Sequence, residues 1–252
     1  MAAEEFTNRD LAGSRFTHAD LSEARFDGVL MRAVRITGAW IQDLVIEGAI
    51  EGSLTVNGVD VLPYVEAELN RQHPGREAIY AVASSGADGF RQAMRVLDEA
   101  WPSTIARLRE LPSDQLHERV DGSWSPIENL RHLTFAIDAW VKRTLLGDPA
   151  PYDPLDLPHD EMGEVEGVPN DPDARPSLHE ALALHESRLA VLRQQIDALT
   201  DEQLVQTTEP NNAPGYPEPA VHEVRRCLAA CVIEEWEHRR YIERDLDKVE
   251  SG

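Results

Sequence analysis

A carboxylate and an imidazole one helical turn apart, Glu234 and His238, close an otherwise apolar stripe near the end of the chain. Read as one helix, Val221–Val249 puts Val224, Cys227, Cys231, Glu234, His238, Tyr241 (or Ile242) and Asp245 on one face, because positions three and four apart superpose. A face that begins in a core and runs into Glu and His must compensate their burial with a shared cation or partner. Ligand pairs four apart on a bundle helix hold metals in this way. The same spacing also suits a solvated ion pair within Glu234-Glu235-Trp236-Glu237-His238-Arg239-Arg240, and the helix alone leaves both readings open. His132, on an earlier segment with Phe135, Ala136 and Ala139, is a third inward-facing candidate, as ligand or as hydrogen-bonded core residue. Glu235 is three before His238, so a one-residue shift in register would exchange it with Glu234. His159, in Leu157-Pro158-His159-Asp160-Glu161, is the candidate acid/base, or else an ordinary loop residue.

Helices must position these groups. Asp88 opens a first helix through Phe90, Met94, Leu97, Trp101 and Leu108, with Pro102 expected to kink it and Leu111-Pro112 to end it. Ser125-Pro126-Ile127-Glu128 combines a capping box with proline at the first helical position, and predicts a second helix to about Leu146, stopped by Gly147. Residues 147–176 are rich in Pro, Asp and Gly and predict a long crossover or lid. Ser177 with Glu180 caps a third helix with the stripe Leu178, Leu182, His185, Leu189, Leu192, Ile196, Leu199. Thr200–Gln203 begins a short further turn. With the last helix, this gives an all-α up-down four-helix bundle over residues 88–249.

The first 62 residues follow a different rule. Phe6, Leu11, Phe16, Leu21, Phe26, Met31, Ile36, Ile41 and Ile46 stand five apart; the register breaks at Glu51 and returns at Val56 and Val61. Small or apolar residues recur two before each centre from Ser14 onward, through Ala19, Ala24, Val29 and Val34 to Ala49 and Val59. Neither helix nor strand has that period, so the segment is an internal repeat. On His18-Ala19-Asp20-Leu21-Ser22 and Arg9-Asp10-Leu11-Ala12 it resembles the pentapeptide-repeat family, which implies a short right-handed quadrilateral β-helix. The expected fold class is therefore α+β in two domains, with residues 63–87 as cap helix and linker.

The chain has 252 residues and a formal net charge of −22, from 46 Asp and Glu against 24 Lys and Arg. That balance opposes binding to nucleic-acid backbones or anionic membrane surfaces. No signal-peptide pattern opens the sequence and no apolar run reaches membrane-spanning length. Cys227 and Cys231 read as small buried residues of a reduced compartment rather than a disulfide. A cytoplasmic location is expected.

Asp121-Gly-Ser-Trp-Ser-Pro-Ile-Glu-Asn-Leu-Arg-His132-Leu, followed a hundred residues on by Glu234-x-x-x-His238, resembles the DinB-like family over about residues 88–247. That family includes thiol-dependent S-transferases and mycothiol-dependent maleylpyruvate isomerase. The resemblance implies a divalent metal, with zinc first and nickel or another transition metal as alternatives, held by His132, Glu234 and His238. Two His and one carboxylate leave an open position, as in catalytic zinc sites, and such a metal favours thiolate near neutral pH. The implied function is transfer of a thiol such as mycothiol to a small electrophile, or isomerisation through reversible addition. A second class is a non-enzymatic interaction protein whose acidic repeat domain binds a partner by mimicking DNA. Homodimerisation is expected from the ends of the short solenoid and the apolar bundle faces.

Overall fold

The computed structural model describes residues 4–46, 48, 50, 52–160 and 162–251. The chain divides at residue 51 into two compact units.

In the first unit the five-residue period is written into the backbone. Asn8, Gly13, His18, Glu23, Gly28, Ala33, Gly38, Asp43 and Gly48 all have positive φ, one in every five residues. Glycine, Asn and Asp tolerate that conformation, whereas Glu23 and Ala33 adopt it against their intrinsic preference. The quadrilateral β-helix expected over residues 1–62 is not found. No strand occurs among the described residues of this unit, and its backbone hydrogen bonds outside regular elements are local, Ser14 N–H to Leu11 O and Ala24 N–H to Leu21 O. The period-five centres Phe6 to Ile46 are 43–63% exposed, where a closed solenoid would stack and bury them. The sequence encodes repeated turns, but without a hydrogen-bonded ladder between coils the turns do not amount to a β-helix. Ala49 and Glu51 lie outside the described residues.

The second unit opens with a two-stranded hairpin, β1 Thr55–Val56 and β2 Val59–Asp60, turned by Asn57 and Gly58 at positive φ. Helices α1 Leu62–Gln72 and α2 Arg76–Ala81 follow; α2 packs on the bundle that comes next. The bundle consists of α3 Ala87–Glu110, α4 Pro126–Ile137, α5 Leu178–Asp197 and α7 Val224–Ser251, with the short α6 Asp201–Leu204 before α7. Helix α4 packs on α5 and α7, and α3 packs on the same two helices. The core is built from Phe90, Leu97, Leu108, Ile127, Leu130, Leu133, Leu192, Ile196, Leu228 and Val232, all at most 1% exposed. Each such side chain contributes about 1.5–3 kcal/mol by leaving water.

Local chemistry sets most helix starts. Ser125 with Glu128, Ser177 with Glu180 and Thr200 with Gln203 each form a reciprocal capping box. Helix α3 differs from the sequence reading: it starts at Ala87, not after Asp88, because Asp201 Oδ1 accepts the Ala87 N–H at 2.7 Å from 114 residues away. A Cβ on Gly86 would come within 2.7 Å of that same oxygen, so the close approach requires glycine. Pro102 lies inside α3, which continues through it. Helix α4 passes at Asp138 into a π-helical segment, Asp138–Leu145, before Gly147 at positive φ ends it.

The crossover of residues 147–176 is tied down rather than free. Buried Arg131 on α4 donates from Nε to Leu155 O at 2.7 Å and from Nη2 to Asp171 O at 2.7 Å, and its own carbonyl accepts from Leu157 N–H. Arg143 likewise holds the next loop, donating to the carbonyls of Asn211, Ala213 and Pro214. Among the described residues no helix is long and apolar enough to cross a membrane.

Candidate metal centre

Helix α4 supplies His132, and α7 supplies Glu234 and His238, with one potential ligand atom from each within 4.8 Å of the others. Glu234 Oε2 lies 3.0 Å from His238 Nε2 and 3.8 Å from His132 Nε2, and the two imidazole centroids are 4.7 Å apart. Both histidines are buried, whereas the Glu234 side chain is 41% exposed, so the cluster opens on the carboxylate side.

The far nitrogen of each ring is committed. His132 Nδ1 is 3.0 Å from Leu157 O, and a carbonyl only accepts, so the proton is on Nδ1. His238 Nδ1 is 2.7 Å from Asn129 Oδ1. The Asn129 amide is itself oriented, since its Nδ2 donates to Trp124 O at 2.9 Å and Ser125 O at 3.0 Å. His238 therefore donates from Nδ1 as well; the His132 Nε2 lone pair and His238 Nε2 both face Glu234, the latter at hydrogen-bond distance. The His132 lone pair and a Glu234 oxygen facing one another favour a positive charge among these atoms. His132 does not supply it as a proton: burial first, then the neighbouring charge of His238, push it down to about 3, with Glu234 acting the other way. Burial raises the Glu234 carboxyl, but the His238 hydrogen bond and the charges of His238, His132 and His159 outweigh it and leave the group below its ordinary value. Two Nε2 atoms and one ionised carboxylate, with outer partners that fix each ring, form a donor set that a divalent cation can take.

Glu235 goes elsewhere. It is fully buried and accepts from Trp101 Nε1 at 3.0 Å, with His185 Nε2 3.0 Å from both its oxygens. The exchange that the sequence left open is thus resolved in geometry: Glu234 joins the two histidines, and Glu235 turns to α3 and α5. His159 is half-buried, 5.9 Å from the Tyr216 ring, and close enough for its charge to act on both His132 and Glu234. Cys227 and Cys231 are free and buried; burial pushes the Cys227 thiol up to about 11 and Cys231 further in the same direction, so neither is a thiolate near neutral pH.

Sequence reasoning missed the outer partners. Asn129, one turn before His132, is readable only as a polar residue on a buried face, and the Leu157 carbonyl carries no side-chain signal. Trp124, read as a core anchor, covers the site: its ring is 4.8 Å from His132 and 5.8 Å from His238, and its Nε1 donates to Asp160 Oδ2 at 2.9 Å. Phe135 stacks against Tyr152 and Tyr216 and borders His132, and Tyr241 meets His238 edge-on. The histidines thus sit among aromatic rings.

The family model described as the DinB superfamily matches residues 96–242, more than half of the chain and all of the ligand cluster. Among curated proteins none matches. A crystal structure of a protein from Streptococcus pneumoniae is similar at 16% identity, covering 64% of this chain and 90% of that one, with a TM-score of 0.38; so distant a likeness carries no weight here. The family match spans the four bundle helices or the greater part of each, and the chain belongs to the DinB superfamily.

Proposed function

We propose that this chain is a metal-dependent enzyme that joins a low-molecular-weight thiol of the mycothiol kind to a small electrophile, or isomerises a double bond by reversible thiol addition. The observation that carries the reading is the convergence of two imidazole Nε2 atoms on Glu234, each ring fixed through Nδ1. His132, Glu234 and His238 would hold a divalent cation, zinc before nickel, whose Lewis acidity favours thiolate over thiol at neutral pH. Trp124, Phe135 and Tyr241 border the site with aromatic surface that excludes water and suits a planar, conjugated electrophile. In the addition the sulfur–carbon bond forms as the thiol proton passes to an imidazole nitrogen of His159, which returns it to the carbon that becomes saturated. Isomerisation reverses both transfers after rotation about the single bond. The half-buried position of His159 beside the cluster suits that role.

The test assays a panel of low-molecular-weight thiols with maleylpyruvate, using metal-loaded protein, chelator-treated protein and the His159→Ala variant. Turnover that needs the metal and falls at least tenfold in His159→Ala is expected. Equal rates in all three preparations would overturn the reading.

One observation favours a second reading, a binding protein without turnover. The first unit exposes Phe16, Phe26, Leu30 and Trp40, the last at 97%, and such apolar surface suits a partner. Partner capture that survives metal removal and is lost without residues 1–51 would support it. A cytoplasmic homodimer completes the proposal, and a monomer in light scattering would refute the dimer.

A further inference from the structure

Helices α3 and α5 leave between them a cavity of about 510 Å³, remote in sequence from the three candidate ligands. Trp101, Pro102 and Ile105 on α3 and Leu178, Leu182 and Leu189 on α5 form its apolar wall. Its size falls in the range of small-molecule sites. The two helices run antiparallel here, since Asp98 on α3 is paired with Arg193 on α5 at 2.7 Å. One end is therefore closed by the Asp98–Arg193–Glu186 ion pairs, and the other carries Arg109 and His179. Arg109 has no ion pair among the described residues.

His185 lines the same cavity and is 2% exposed. Its Nε2 donates to Glu235, which also accepts from Trp101, so its Nδ1 is left for another partner. Nδ1 makes no hydrogen bond to protein among the described residues. Nδ1 is not among the buried polar atoms left unpaired, so it is open to the cavity that His185 lines, where a ligand hydroxyl can pair with it. His179 and His185 are six residues apart, which separates the cationic end from that nitrogen by about 9 Å along α5.

We infer that the α3–α5 cavity is a second, metal-independent binding site for a planar apolar hydroxy acid. Its hydroxyl hydrogen-bonds His185 Nδ1, its rings lie against Trp101, Leu182 and Leu189, and its carboxylate meets Arg109 and His179. The inference does not rest on the proposed catalysis, because none of these residues belongs to the His132–Glu234–His238 cluster.

The probe is 6-hydroxy-2-naphthoate, titrated into the full chain by calorimetry, with 2-naphthoate lacking the hydroxyl and 2-naphthol lacking the carboxylate. One saturable site is expected, with 2-naphthoate about tenfold weaker for want of one hydrogen bond. Arg109→Gln, an exposed change, should reduce binding of the hydroxy acid to that of 2-naphthol. Leu182→Trp should fill the cavity and abolish binding while circular dichroism and metal content stay unchanged. His238→Ala should bind the probe as the parent does, which separates this site from the metal centre. Absence of saturable binding, equal affinity for 2-naphthoate, or binding undiminished in folded Leu182→Trp would overturn the inference.

Discussion

Two adjacent carboxylates on α7 have opposite fates. Glu234 shares its surroundings with His132 and His238 and stays 41% exposed; Glu235 is fully buried between Trp101 and His185. One residue of helix rotates a side chain by about 100°, enough to aim neighbours at different helices. At Glu235 the carboxylate meets two donors, so its hydrogen bonds are made within the protein. At Glu234 the histidines donate outward, to Asn129 and Leu157, and turn both Nε2 atoms inward, His132 with a lone pair. The second imidazole, His132, whose Nε2 lone pair faces the carboxylate, separates a site that can take a cation from a structural pair.

Substitutions that cross the two clusters can break this comparison. Glu234→Ala should lower zinc affinity more than 100-fold, exceeding the loss typical of an outer-shell partner, and leave stability without metal within about 1 kcal/mol. Calorimetric zinc titration and urea unfolding read the two quantities separately. Glu235→Ala should do the reverse, stranding the Trp101 and His185 donors at a cost of about 2–4 kcal/mol while zinc binding persists in the folded fraction. Equal effects of both changes on zinc would dissolve the distinction. Asn129→Ala should weaken zinc by about 10–100-fold, because His238 loses the acceptor that sets its tautomer.

A pH effect sharpens the comparison beside Leu157, whose carbonyl orients His132. Burial, and then the charge of neighbouring Asp138, push Asp156 up to about 8. Asp138 is itself neutralised by Arg188 at 2.9 Å and Lys142 at 3.0 Å. The folded chain therefore holds a proton that the unfolded chain releases near 3.8, so this group's contribution to stability falls as pH rises from about 4 to about 8. The slope is at most about 1.4 kcal/mol per pH unit. Asp156→Asn should flatten it in denaturant midpoints measured across that range. The smallest effect should be that of Ser177→Ala, about 1 kcal/mol from the lost cap on α5, with zinc binding unchanged.

The sequence carried the bundle where its signals are local. Ser125, Ser177 and Thr200 each find a partner three residues on, so their helix starts are readable. His132, Glu234 and His238 were legible because the stripe spacing and the resemblance agreed on them. The start of α3 was misplaced because its cap, Asp201, comes from a distant turn. Asn129 and the Leu157 carbonyl acquire their roles only when α4, α7 and the crossover meet. The period of five returns in the backbone as positive φ at every fifth residue, but the β-helix expected from it is not found among the described residues, because periodicity specifies turns and not the ladder that would close them.

The most direct test is a crystal of zinc-loaded protein with anomalous data collected across the zinc edge. The account predicts one peak within bonding distance of His132 Nε2, His238 Nε2 and a Glu234 oxygen, with Glu235 still on Trp101 and His185. No peak there, or a peak bound to Glu235, would contradict it.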